Sequence, residues 1–289
     1  MLRTIKQFFV FESIAMKVIF FISVFFSVFS LEASIIKVSD IHAVNKYARK
    51  GSLVLLGLDE TLVFPKQMLG TSSWFNERLE NLKKEQSDYD PLAKAFCERI
   101  AVSFAVEYEL IHPEVPKAIE SLALSEAWVM GVSQFPIPMA NHFLRSAQAL
   151  GLVFSSCLPA RSDGWMPHLK TLGRPQHAMF IEEQILFTGG LVNGITMEEV
   201  LSTLFSTLDT LPQQVIYLDQ NQENLISAEA ACKQANVYFI GMLYNPAVKR
   251  VKSYKSEVAH LQWVQLCNQL SDRYFQSLLT YVLGPEGQG

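Results

Sequence analysis

The sequence predicts an α/β fold, an open, mostly parallel Rossmann-like sheet with helices on both faces. Three observations carry this. Short continuous apolar runs, each long enough for one strand, recur at Ser52–Leu58, Ala127–Val132, Gln214–Leu218 and Val237–Gly241. Such runs mark strands buried on both faces. Between them lie segments of helical length and pattern, the alternation that builds a parallel sheet. The composition, 49% hydrophobic and 18% charged with 14 Gly and 12 Pro over 289 residues, is that of a globular chain and excludes disordered and collagen-like classes.

Taken in order, the chain opens with a segment unlike the rest. Val18 to Phe29 is a largely apolar run without a charge, preceded by Met16-Lys17 and followed by Leu31-Glu32-Ala33-Ser34. A basic start, a short apolar stretch and a small residue describe a secretory signal peptide, here residues 1–33. The run is short of the ~20 residues a membrane-spanning helix needs. The expectation is export across the inner membrane to the periplasm or beyond, with membrane contact only through this peptide. Export would permit disulfides among Cys97, Cys157, Cys232 and Cys267, but their wide spacing fixes no pairing and fits no zinc motif. A net charge of −4 offers no footprint for nucleic acid.

After the strand Ser52–Leu58, helices are expected at Ser72–Gln86, capped by Ser72 or Ser73, and at Pro91–Leu110, with Asp90 as cap and Pro91 in the first turn. Pro116–Leu124 reads as a third helix. The strand Ala127–Val132 precedes a helix at Pro138–Leu150, closed by Gly151. Leu152–Ser155 reads as a strand and Met179–Phe187 as a hairpin. Thr196 caps a helix to Leu208, with Glu198 and Glu199 favourably placed at its N-terminus. The strand Gln214–Leu218, the helix Glu223–Gln234, the strand Val237–Gly241 and a largely helical tail from Ser256 to Leu283 complete the chain.

In open α/β sheets ligands sit beyond the C-terminal ends of the strands. Those ends read Gly57-Leu58-Asp59-Glu60-Thr61-Leu62, Gly131-Val132-Ser133 and Leu218-Asp219-Gln220. Apolar strand with Asp-x-Thr-Leu, apolar strand with Ser, apolar strand with Asp, in that order, resembles the haloacid dehalogenase (HAD) superfamily. More closely the chain resembles an uncharacterised family of exported HAD-like proteins of intracellular bacteria, through Trp74-Phe75, Ile185-Leu186-Phe187-Thr188 and Glu223-Asn224-Leu225.

The resemblance implies phosphohydrolase chemistry. The superfamily's first motif, Asp-x-Asp-x-Thr, supplies a nucleophile and then a general acid–base. A Ser or Thr and a Lys bind the phosphoryl group, and a late acidic pair holds Mg²⁺. Position by position, Asp59 matches the second Asp, Thr61 the Thr, Ser133 the phosphoryl-binding hydroxyl and Asp219 the metal-binding acid. Gly57 stands at the nucleophile, Asn193 at the lysine and Gln220 at the second acid. Glu60 is the nearest substitute nucleophile, but it lies one residue beyond Asp59, where the chain has left the strand.

Three losses at one site imply a degenerate phosphatase relative that acts by binding. Asp59 and Ser133 are then vestigial catalytic residues, and Asp219 with Asp59 forms a weak Mg²⁺ site or none. The alternative is a live Mg²⁺-dependent phosphohydrolase using Asp59, Asp219 and water. In the binding reading the ligand would be a small phosphate-bearing molecule or a protein partner. The core is expected at about 45–62 and 125–289, with a helical cap at about 63–124. His112, Arg161, Arg250 and the Lys249–Lys252 stretch read as surface charges.

Overall fold

The computed structural model describes residues 34–85, 90–154, 180–182, 184–189 and 195–270. Among them a sheet is built from β1 (Ser34–Val38), β2 (Ser52–Gly57), β5 (Trp128–Ser133), β6 (Phe180–Glu182), β7 (Ile185–Phe187), β8 (Gln214–Asp219) and β9 (Tyr238–Tyr244). The strand order is β1-β9-β8-β2-β5-β7-β6. Every pairing is parallel except β6 with β7. The predicted fold class is the observed one. The central strands β2 and β8 are buried at every position, which is why they read as unbroken apolar runs.

Alternate residues of each strand face opposite sides. Val54, Leu56, Ile216, Leu218, Ile240 and Met242 face one core. It is covered by a short 3₁₀ turn at Ile41–Lys46, α3 (Val115–Ala123) and α4 (Ile137–Ala149). The opposite face carries α5 (Met197–Thr207) and α6 (Gln222–Gln234), which pack on each other, with α6 against β8 and β9. Between β2 and α3 the chain makes a two-stranded antiparallel ribbon, β3 (Val63–Pro65) with β4 (Tyr108–Leu110). The ribbon frames α1 (Ser72–Lys84) and α2 (Pro91–Ala105). These helices share a second core through Trp74, Phe75, Leu82, Ala95 and Val102. It also takes in Ala259 and Leu266 of α8 (Ser256–Cys267), which follows α7 (Asn245–Val251).

Local chemistry accounts for the helix ends. Asp90 accepts from the Ala93 N–H at 2.8 Å, with Pro91 in the first turn. Thr196 and Glu199 form a reciprocal capping box. Gly151, at φ +79°, closes the turn after α4 in the left-handed region open to glycine. Thr71, rather than Ser72 or Ser73, caps α1 through the Trp74 N–H.

Two expectations are corrected. The helix begun at Pro91 stops at Ala105, because Tyr108–Leu110 finds a strand partner in β3 and leaves the helical path. Leu152–Phe154 is not a strand; the place beside β5 belongs to β7, and the buried Phe154 ring lies against Gly131. A β-carbon at Gly131 would stand 2.8 Å from Leu58 Cδ1 and 3.1 Å from that ring. The edge strand β1 and the ribbon strand β3 were not anticipated. Residues 1–33, Ser155, Arg161 and the tail beyond residue 270 lie outside the described residues, as does Cys157.

Cys97 and Cys232 are buried free thiols, each pushed up to about 12 by desolvation; Cys267 is free and partly exposed. Among the described residues no helix is long and apolar enough to cross a membrane.

Candidate functional site

The neighbouring strands β8, β2 and β5 end together, and their last residues form one edge. Gly57 pairs with Val132, so Ser133 lies one step beyond it; Leu218 pairs with Leu56, so Asp219 stands level with Gly57. The chain leaves β2 through a tight turn. Thr61, Leu62 and Val63 all donate backbone hydrogen bonds to the Leu58 carbonyl, at 3.2, 3.1 and 2.9 Å. Glu60 sits at φ +53°, a left-handed conformation uncommon outside glycine. The turn folds Asp59 toward β5 and Thr61 toward β8.

Asp59 meets Ser133. The Ser133 hydroxyl donates to the carboxylate at 3.0 Å, and the Gln134 N–H donates to Oδ2. Desolvation pushes the Asp59 carboxyl up to about 7, against the opposing pull of these two donors and the Arg99 charge. Part of the side chain still touches the pocket beside it.

Asp219 is held differently. Oδ1 accepts from the Asn221 N–H at 2.8 Å and the Thr61 hydroxyl at 3.3 Å. Oδ2 accepts from the Tyr217 hydroxyl and from Asn224 Nδ2 at 3.1 Å. Four donors thus occupy the roughly four lone-pair directions a carboxylate offers. Burial raises the Asp219 carboxyl above its ordinary range, and the donors oppose that rise. The same burial, with Asp219 alongside, drives the Tyr217 phenol well above its usual value, so it remains a donor.

A side chain at Gly57 would be crowded as the site stands. A β-carbon there would lie 3.0 Å from Thr61 Oγ1 and 3.1 Å from Asp219 Oδ2. The Asp219 carboxylate fills the space in front of the glycine.

Above the strand ends lies a pocket of about 320 Å³, walled on the far side by α1 and α2. Arg99 reaches it from α2. Only 3% exposed, its guanidinium packs 5.0 Å from the Phe75 ring centre and 6.0 Å from that of Phe135. Among the described residues Nε and Nη1 are buried without a hydrogen-bond partner. Glu60 is buried too; Oε1 accepts from the Ser72 N–H, and Oε2 has no hydrogen-bond partner among the described residues.

The structure therefore brings together Gly57, Asp59, Thr61, Ser133, Asp219 and Gln220, predicted from widely separated motifs. Asn193 lies outside the described residues. Glu60 turns away from the strand end toward Ser72, as expected for a residue beyond the strand. His112 accepts from the Glu114 N–H, and Arg250 pairs with Glu109 at 2.6 Å. Sequence reasoning missed Arg99, Tyr217 and Asn224. Arg99 did leave a signal, a cation inside the apolar helical stretch Ala95–Val102. Its neighbour Glu98 is matched by Arg78 at 2.7 and 2.9 Å, so the carboxylates acting on Arg99 are those across the site, Glu60 and Asp59. Among the described residues no group of three His, Cys, Asp or Glu side chains is arranged to hold a metal ion.

Comparison with known proteins sets the chain among bacterial relatives. A Chlamydia pneumoniae protein named "Putative outer membrane protein" is 42% identical over 252 residues, 87% of this chain and 92% of the relative. Proteins of the same name from Chlamydia muridarum and Chlamydia trachomatis are each 21% identical, over 86% of this chain and 92% of their own length. Residues 34–276 match the family described as "Protein of unknown function (DUF2608)". That match spans the sheet and both cores, and the chain belongs to the DUF2608 family.

Proposed function

We propose that this chain is an exported protein with a degenerate HAD-like site, acting by binding a ligand and not by phosphoryl transfer. The observation that carries this is Gly57. The residue where a nucleophilic carboxylate is expected has no side chain, and Asp219 occupies the space in front of it. Losing a covalent nucleophile removes orders of magnitude of rate, because the groups of such a site act as a unit.

The Mg²⁺ that the resemblance implies does not fit these residues. Mg²⁺ demands near-octahedral oxygen ligands, including one or two carboxylates with free lone pairs. Here Asp219 accepts from four neutral donors, Gly57 offers nothing, and Gln220 replaces an acid. Asp59 is engaged by Ser133 and Gln134. Tyr217, Asn224, Thr61 and the Asn221 amide stabilise the Asp219 charge where a metal would. This arrangement supports the expectation of weak or absent Mg²⁺ binding.

One feature favours the alternative, a Mg²⁺-dependent phosphohydrolase using Asp59. A carboxyl poised at about 7 suits a general acid–base. Turnover decides between the two. Across a phosphoester panel, with Mg²⁺ and with chelator, the purified chain is expected to show no hydrolysis above background. Metal-dependent turnover lost in Asp219→Ala would overturn the binding reading.

Export rests on the N-terminal apolar segment and on the outer-membrane names of the relatives. The helices between the ribbon strands, with Arg99 on α2, form the cap of this site in the proposed reading.

A further inference from the structure

We infer that the pocket above the strand ends is a metal-independent oxyanion site, with the Arg99 guanidinium as its receptor. The inference deepens the binding reading above and rests on it. Burying an ionised guanidinium with unmet N–H groups is costly, because the charge and its donors lose water without gaining acceptors. A chain keeps such a group when something else supplies the acceptors. Arg99 is 3% exposed, lines the pocket and, among the described residues, finds no hydrogen-bond partner for Nε and Nη1. Phe75 and Phe135 lie against the guanidinium at 5.0 and 6.0 Å and fix its direction.

Glu60 and Asp59 lie near enough to act on the Arg99 charge, but among the described residues neither supplies a hydrogen bond to Nε or Nη1. Asp59 is engaged by Ser133 and Gln134, and Glu60 Oε1 by Ser72. Glu60 Oε2 is itself unpaired, so the two unmet groups are not joined to each other. Asp219 directs its charge into its own four donors.

A guanidinium presents its N–H groups as a rigid planar fork, which matches two oxygens of a phosphate or a carboxylate. The volume, about 320 Å³, is at the small end of ligand sites. The walls add Asn76, Gln134, Gln220 and Asn224, uncharged hydrogen-bonding residues, beside the carboxylates of Asp59 and Asp219 already engaged by their own donors. The pocket thus suits a small polar molecule with one oxyanion head, bound through Arg99 and neutral amides with no metal bridge.

The test uses the purified full chain in EDTA, with inorganic phosphate and acetate as separate probes for a phosphoryl and a carboxylate head. Binding is followed by calorimetry and through the Arg99 Nε–H resonance. Expected are saturable binding of at least one anion and movement of that resonance. Arg99→Gln should weaken binding about tenfold or more, and Arg99→Lys should recover part of it. Absence of binding at tens of millimolar anion, binding that requires Mg²⁺, or unchanged affinity in a folded Arg99→Gln chain would overturn the assignment. So would an Nε–H resonance that stays fixed in the native chain, a readout that does not depend on any variant folding. Phosphoester turnover with Arg99-dependent anion binding intact would overturn the binding-only reading and leave this assignment standing. Neither turnover nor anion binding would do the reverse.

Discussion

Restoring the expected nucleophile by Gly57→Asp should injure the protein and leave it without useful catalysis. The new β-carbon would stand 3.0 Å from Thr61 Oγ1 and 3.1 and 3.2 Å from Oδ2 and Cγ of Asp219. Each contact is a few tenths of an ångström inside ordinary van der Waals distance, and such crowding costs about 1–3 kcal/mol. The new carboxylate would also face that of Asp219. Two charges about 4 Å apart repel by ~4 kcal/mol at an effective dielectric of 20. Protonating one carboxyl relieves this, at about 1.4 kcal/mol for each unit its pKa must climb toward ambient pH. Together these terms predict a loss of roughly 3–6 kcal/mol at pH 7, a large part of a typical domain's stability. Urea unfolding of the native chain, Gly57→Ala and Gly57→Asp separates the terms. The alanine variant should show only the crowding. The aspartate variant should lose more, and regain part of the difference at pH 5, where one carboxyl of the pair keeps its proton. Gly57→Asp with native stability at pH 7, or with robust Mg²⁺-dependent phosphatase turnover, would refute the reasoning from a filled site.

Other consequences follow from the same contacts. Asp59 has a folded-state carboxyl pushed from 3.8 to about 7, so between those values the native chain holds a proton that the unfolded chain does not. Stability should therefore fall as pH rises from about 4 through 7. Asp59→Asn keeps the hydrogen-bonding shape without the charge. Because the side chain touches solvent in the pocket, it should gain only about 1–2 kcal/mol at pH 8, with little change at pH 4; a variant less stable than native at pH 8 would contradict this. Tyr217→Phe removes a donor from a buried carboxylate and should cost about 1.5–3 kcal/mol, more at pH 8 than at pH 5, by chemical denaturation at the two pH values. Thr196→Ala dismantles the capping box of α5 and should cost about 1 kcal/mol in the same assay, with no effect on anion binding.

The strands that place the site were legible because they are buried on both faces. Ser52–Gly57 and Gln214–Asp219 have no polar face to interrupt their apolar runs, and the residues after them fall at the strand ends by necessity. The absence of a side chain at Gly57 could likewise be read directly. The edge of the fold was harder. Ser34–Val38 is five residues long and follows an apolar segment that masks it. Tyr108–Leu110 continues a helical pattern, and only its pairing with Val63–Pro65 makes it a strand. Tertiary context also hid the donors around Asp219. Tyr217 reads as one more apolar strand residue until its hydroxyl is seen beside the carboxylate two positions on. Arg99 is similar: its charge is plain in the sequence, but that no hydrogen bond reaches its Nε and Nη1 among the described residues emerges only once Glu98 is seen to pair with Arg78.

The pairing of β1 with β9 bears on the order of folding. Residues 34–38 take residues 240–244 as their partners, so the first strand of the sheet waits for the last. On a ribosome delivering about 5–20 residues per second, β1 has no neighbour for roughly the first ten seconds or longer of synthesis. Contacts this remote in sequence also form slowly, because a long loop must close before they contribute. The far edge of the sheet is therefore the last to close, and a chain cut short before residue 240 would leave β1 an unpaired strand with its backbone groups open to another chain.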